Sequence, residues 1–158
     1  MSSDKSFFSI QVSHGELLDR LSILQIKNQR IQSPEKLVNV RKELDLLQGQ
    51  AETLLTNKKI LEAYVSLKRT NGILWDIEDR IRLKEKNSNF DSEFVELARS
   101  VYFQNDARGR IKRHINEISG SELIEEKEYQ DYELPKNPDL GYIEQKEAWK
   151  TTGPQRMK

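Results

Sequence analysis

Apolar residues recur along this chain at intervals of three and four. Leu17, Leu21, Leu24 and Ile31 form one stripe, and Leu37, Val40, Leu44, Leu47, Ala51 and Leu54 a second. Ile60, Tyr64, Leu67, Leu74 and Ile81 form a third; Phe94, Leu97, Val101, Ile111, Ile115 and Ile118 form a fourth, which Arg108 interrupts. This is the period of a helix rather than the alternation of a strand. The punctuation agrees. No proline lies between Pro34 and Pro135, and helices accept proline only in their first turn because it lacks the N–H and clashes with the preceding turn. Ser13, Ser33 followed by Pro34, and Asp91 read as helix starts, and Gly120 as a helix stop. Helices are expected near 14–32, 34–56, 58–86 and 91–119. The Thr56-Asn57 junction is weakly punctuated, which leaves fusion of the second and third helices open. Asn71-Gly72 offers a break, because glycine inside a helix costs about 1 kcal/mol against alanine.

The expected fold is therefore all-α: an antiparallel helical bundle of about four helices, two of them long, over residues 13–130. A short extended N-terminal segment, 1–12, precedes it with Phe7, Phe8, Ile10 and Val12. Its aromatics are expected to cover one end of the bundle, the alternative being pairing with a second chain. A flexible C-terminal tail, 131–158, follows it and carries three of the four prolines.

The chemistry lies in what interrupts the stripes. At 100° per residue, Asn28 falls about 20° from Leu17, and Asn71 and Glu78 fall within about 20° of Ile60. Asn105, Arg108 and Lys112 fall among Phe94, Val101 and Ile115. In an up-down-up-down bundle, Asn28, Asn71, Asn105 and Arg108 come to about the same height, with Glu78 and Tyr102 above them. Such a layer has two readings. It fixes register and partner choice, as a buried asparagine does in coiled coils, or it is a pocket in which Arg108 and Lys112 hold a small anion. Glu16, Arg20 and Lys27 flank the apolar face of the first helix. Ile23 and Ile26 lie on its far side, so this helix is either central in the bundle or shared with another subunit.

Composition narrows the classes. Lys plus Arg and Asp plus Glu are equal at 26, giving a net charge of zero, unlike a dedicated polyanion binder. The basic run Arg108 to His114 is followed by an acidic one, Ser121 to Glu133, so the two blocks are read as complementary and nucleic acid is not expected as a partner. There is no cysteine, which removes thiolate chemistry and disulfides. His14 and His114 are the only histidines and do not form a Glu-x-x-His metal pattern. No phosphate loop, dinucleotide fingerprint or nucleophile elbow is present. No cofactor or metal is expected, and no catalytic residue is assigned. No stretch reaches the roughly 20 apolar residues of a membrane span, and MSSDKSFFSIQVS does not read as a secretory signal. A cytoplasmic protein is expected.

Three blocks of sequence, the last made of several runs, carry a resemblance. Gly15-Glu16-Leu-Leu-Asp19-Arg20-Leu-Ser-Ile23-Leu24-Gln-Ile26-Lys27 resembles the opening motif of an uncharacterised bacterial and phage family of small helical proteins. Leu74-Trp75-Asp-Ile-Glu78-Asp79-Arg-Ile-Arg82 resembles its middle motif. Phe94-Val-Glu-Leu-Ala-Arg99-Ser-Val-Tyr102, Asn105-Asp106 and the run Gly120 to Tyr129 resemble its C-terminal block. The resemblance covers about 6–130, implies that 121–129 is ordered, and brings no catalytic roles. It overlaps Glu16, Arg20, Lys27, Glu78, Arg99, Tyr102, Asn105 and Lys112. The reading is a non-enzymatic helical protein-interaction module that self-associates through its first helix and N-terminal segment. The alternative is a binding protein for a small anionic metabolite, or an isomerase-like enzyme, with its polar site inside the bundle.

Overall fold

The computed structural model of the chain describes residues 8–133. It is all-α, with four helices: α1 (His14–Arg30), α2 (Pro34–Leu55), α3 (Lys58–Lys86) and α4 (Ser92–Ser119). No strand occurs among the described residues. Each helix begins where a side chain can accept an orphan N–H of the first turn. Ser13 Oγ accepts from the Glu16 N–H at 3.1 Å, and Ser33 Oγ from Lys36 at 3.5 Å. Asp91 Oδ1 accepts from Phe94 at 3.0 Å. At the junction left open above, Asn57 Oδ1 accepts from Lys59 at 2.9 Å, so α2 and α3 are separate helices and Asn57 is the cap between them. Asn71-Gly72 does not interrupt α3.

The C-termini of α3 and α4 close in the same way. After α4, the Ser121 N–H donates to the Asn116 carbonyl at 2.9 Å and the Gly120 N–H to Glu117 at 3.4 Å, with Gly120 at φ 65°. After α3, Asn89 donates to Lys84 at 3.0 Å and Ser88 to Glu85 at 2.9 Å, but here the left-handed position at φ 51° is a serine. Both are Schellman closures, which favour glycine because a Cβ crowds the backbone at positive φ. Ser88→Gly is expected to stabilise the protein by about 0.5–1 kcal/mol, the relief being partly offset by the greater freedom of glycine when unfolded. A higher urea midpoint with an unchanged slope is the check.

The described residues divide into two compact units. The first is built from 8–72 with 108–127, and so takes α1, α2, the start of α3 and the end of α4. Its core holds Leu18, Leu21, Leu24, Ile26, Ile60, Leu67, Ile111 and Ile115. In it α1 packs against α2 and runs antiparallel to the end of α4: Gly15 meets Asn116, Glu16 meets Lys112 and Asp19 meets Arg108. Helix α1 is thus central to this unit, and its many-sided apolar character is used within the chain. By contrast, α2 fully buries only Val40 and Ala51 and leaves Val38 65% and Leu46 56% exposed. Residues 8–12 have no regular structure, with Phe8 97% exposed, so Phe8 does not cover a bundle end. Phe7 lies outside the described residues.

The second unit is built from 73–107 with 128–133. The end of α3 and the start of α4 form an antiparallel hairpin. Lys84 Nζ reaches Asp91 Oδ2 at 2.8 Å and Glu93 Oε2 at 2.6 Å, and Arg80 Nη2 reaches Glu93 Oε1 at 2.6 Å. Leu74, Ile77, Leu97, Phe103 and Ala107 are its buried apolar residues. The domain expected over 13–130 takes in parts of both units. Within the described residues, the tail expected from 131 onward is represented by 131–133, which have no regular structure; 134–158 lie outside them. No described helix is long and apolar enough to cross a membrane.

Candidate functional site

In the first unit, α1 and α4 meet along a polar seam. It begins with glycine at position 15. A Cβ there would lie 2.5 Å from the Lys112 carbonyl oxygen and 2.9 Å from Asn116 Oδ1, so only glycine lets the two helices approach this closely. The Gly15 N–H, one of the orphan donors of the first turn, is instead satisfied across the interface by Asn116 Oδ1 at 2.6 Å. Beside it, the His14 N–H donates to Ser121 Oγ at 3.1 Å, and His14 Nδ1 lies 2.8 Å from Ser119 Oγ.

One turn along α1, Asp19 is 1% exposed. A carboxylate at that depth needs charge and hydrogen bonds around it, since desolvation otherwise exceeds what a single pair returns. Arg108 supplies both. Its Nε lies 2.9 Å from Oδ1, and its Nη2 lies 2.5 Å from Oδ2, a two-pronged grip. Asn71 Nδ2, from α3, donates to Asp19 Oδ1 at 2.8 Å and also lies 2.8 Å from Ser22 Oγ. Lys112 Nζ stands 3.8 Å from Asp19 Oδ2. It is held more tightly by Glu16 at 2.6 Å and by Glu125 at 2.9 Å.

These contacts set the protonation preferences. Hydrogen bonding to Asp19 raises the pKa of Arg108 above its ordinary value, against an opposing effect of burial. For Lys112, burial is the largest single influence and acts downward, but hydrogen bonds to Glu16 and Glu125 and the charge of Asp19 together outweigh it, so its pKa is raised. The Lys112 hydrogen bond holds the Glu125 carboxyl below the usual glutamate range. The cations of the seam are thus matched by the chain's own carboxylates.

The polar layer expected from the sequence is assembled in part. Asn71, Arg108 and Lys112 come together, and Glu16 from the flanking set joins them. Asn28 does not: it is half-buried and accepts from Arg41 Nε at 3.2 Å. The reason is the choice of reference residue. The buried arc of α1 is centred near Ser22 rather than Leu17, which puts Asn28 about 120° away from it. Asn105, in the second unit, turns back to its own helix, donating to the Val101 carbonyl at 3.0 Å. Glu78 pairs with Arg82, one turn along α3, and Tyr102 is exposed, edge-on to Phe103 and Tyr132. Arg20 pairs with Glu43 of α2 at 2.9 Å, and Lys27 is half-buried.

The residues that sequence reasoning missed are Asp19, Ser22, Asn116 and Glu125. A signal for them was present. On α4, Ser100, Gln104, Arg108, Lys112 and Asn116 recur every four residues, the spacing of one helical ridge. Four of the five are buried, with Arg108 the half-buried exception. On α1, Gly15, Asp19 and Ser22 form a matching stripe of small and polar residues. Gln104 Oε1 is a buried acceptor with no hydrogen-bond partner among the described residues.

No curated protein and no solved structure matches the chain. A family model does match, over residues 8–141, which takes in both units and the whole seam. The chain belongs to this family, a family of unknown function (DUF6165).

Proposed function

We propose that the chain is a non-enzymatic interaction module that self-associates. The observation that carries this reading is the apolar surface α2 leaves in solvent, with Val38 and Leu46 more than half exposed on a helix that fully buries only two residues. Phe8 and Ile10 of the N-terminal segment are exposed as well. Apolar surface of this kind gains from being covered, at about 25 cal/mol for each Å² removed from water. The seam supports the same reading, because Arg108 and Lys112 are already matched by Asp19, Glu16 and Glu125. A buried polar cluster of this sort specifies one register between α1 and α4. We place the association on α2 and residues 8–12, since α1 packs against α2 and the end of α4 within its own unit. A cytoplasmic setting and a bacterial or phage origin belong to the same proposal.

The test is solution mass between micromolar and millimolar protein. The wild type is expected to form a defined oligomer, and Val38→Asp with Leu46→Asp to weaken it at least tenfold without lowering the melting temperature measured in dilute protein, where both are single chains. A mass of one chain throughout that range would falsify the reading. The anion-site alternative gains ground if phosphate or a dicarboxylate raises the melting temperature in an Arg108-dependent way.

A further inference from the structure

We infer that the segment 121–127 is an exchangeable strap, which docks on the end of its own α4 in one chain and on the α4 of a second copy in the associated form. This rests on the self-association reading and names the element that passes between copies.

The strap turns back from α4 at Gly120 and lies along that helix in extended form. Charge at the tips of side chains holds it, together with the covered parts of Leu123 and Ile124. Lys112 Nζ meets Glu125 Oε2 at 2.9 Å, Arg113 Nη1 meets Glu126 Oε2 at 2.9 Å, and the Lys127 amine lies 3.7 Å from where a Cβ on Gly109 would be. No backbone ladder joins the strap to the helix; its one bond to another chain segment at the hinge is from the His14 N–H to Ser121 Oγ. Arg113 is about half exposed and Glu126 more so, and such pairs are individually weak. Leu123 and Ile124 remain partly in solvent, 44% and 43% exposed. An acidic strap and the basic helix it fits are thus both present in every copy, and every contact made within one chain has an equivalent between two.

The hinge supplies the switch. The fold-back depends on the left-handed backbone of Gly120, which lets the Ser121 N–H close on the Asn116 carbonyl. A residue that prefers a right-handed conformation lets α4 run on and carries the strap away from its own face. Short hinges of this sort are where elements pass between copies. Exchange alone competes with a tethered strap at an effective concentration of roughly millimolar. The apolar contact proposed for α2 is what draws association below that level.

Because the chain has no cysteine, single thiols report exchange cleanly. Full-length Gly109→Cys and Lys127→Cys variants, mixed, equilibrated and treated with a short bis-maleimide, are expected to give a covalent mixed dimer faster than either variant alone. Gly120→Ala is expected to raise its yield at least about tenfold, since the strained turn is present in each single chain and two such turns are relieved in every exchanged dimer. One chain carrying both cysteines is expected to cross-link within itself at low concentration, which verifies that the variants fold. Absence of the mixed dimer, while the unmodified protein has the mass of an oligomer, overturns strap exchange and leaves self-association standing through another surface. A single-chain mass together with no mixed dimer overturns both.

Discussion

Asp19→Ala is expected to destabilise the protein by about 3 kcal/mol, the low end for breaking a buried pair, because it leaves the half-buried Arg108 against a site that no longer holds a negative charge. The carboxylate is 1% exposed and takes three donors from Arg108 and Asn71 within 2.9 Å, so water has no route to replace it. Urea unfolding of the variant gives the magnitude directly. A second variant separates the charge from the space it fills. Replacing Asp19 and Arg108 together by leucine removes the pair rather than breaking it, and is expected to recover most of the loss. Arg20→Ala is the surface comparison: its pair with Glu43 is exposed on both sides, and its removal is expected to cost less than about 1 kcal/mol. Equal losses for Asp19→Ala and Arg20→Ala would mean that the seam contributes no more than an ordinary surface contact.

Gly15→Ala is expected to cost about 2–4 kcal/mol although it adds a single methyl group. The atom it meets, the Lys112 carbonyl oxygen, belongs to the backbone of α4 and cannot rotate away. Asn116 Oδ1 can rotate, but then it abandons the Gly15 N–H that it accepts at 2.6 Å. The helices must separate instead, and the ion pairs beside the contact lengthen with them. Gly49→Ala is the matched control. Nothing lies within 4 Å of a Cβ there, so the same substitution on α2 is expected to stabilise by up to about 1 kcal/mol. Differential scanning calorimetry on the two variants, moving in opposite directions, tests the assignment.

How much of this was legible in the sequence depends on the range of the interactions involved. Helix positions follow from apolar spacing and from caps that lie within three residues of the helix they begin, so Ser13, Ser33 and Asp91 were readable. Asn57 was equally local, but its cap falls between two helices with no glycine or proline beside it. The seam is a different matter. Asp19 sits between Leu18 and Arg20 and has the look of a solvent-facing residue until α4 is laid against it. Its partners lie 52 and 89 residues away along the chain. Counting angles from Leu17 selected Asn28, since an apolar residue at a helix margin is indistinguishable in sequence from one at its centre. The four-residue recurrence on α4 was the better guide, because a whole ridge averages over errors that displace a single residue.

The two-pronged grip of Arg108 on Asp19 has a consequence for how the family can diverge. A lysine in place of the arginine could satisfy one carboxylate oxygen but not both from the same side, and an apolar residue at either position alone strands its opposite number. Sequence drift is therefore easiest at the exposed polar positions of α2 and most restricted along the join of α1 with α4. Across relatives, positions 19 and 108 are expected to change in the same step or stay as they are.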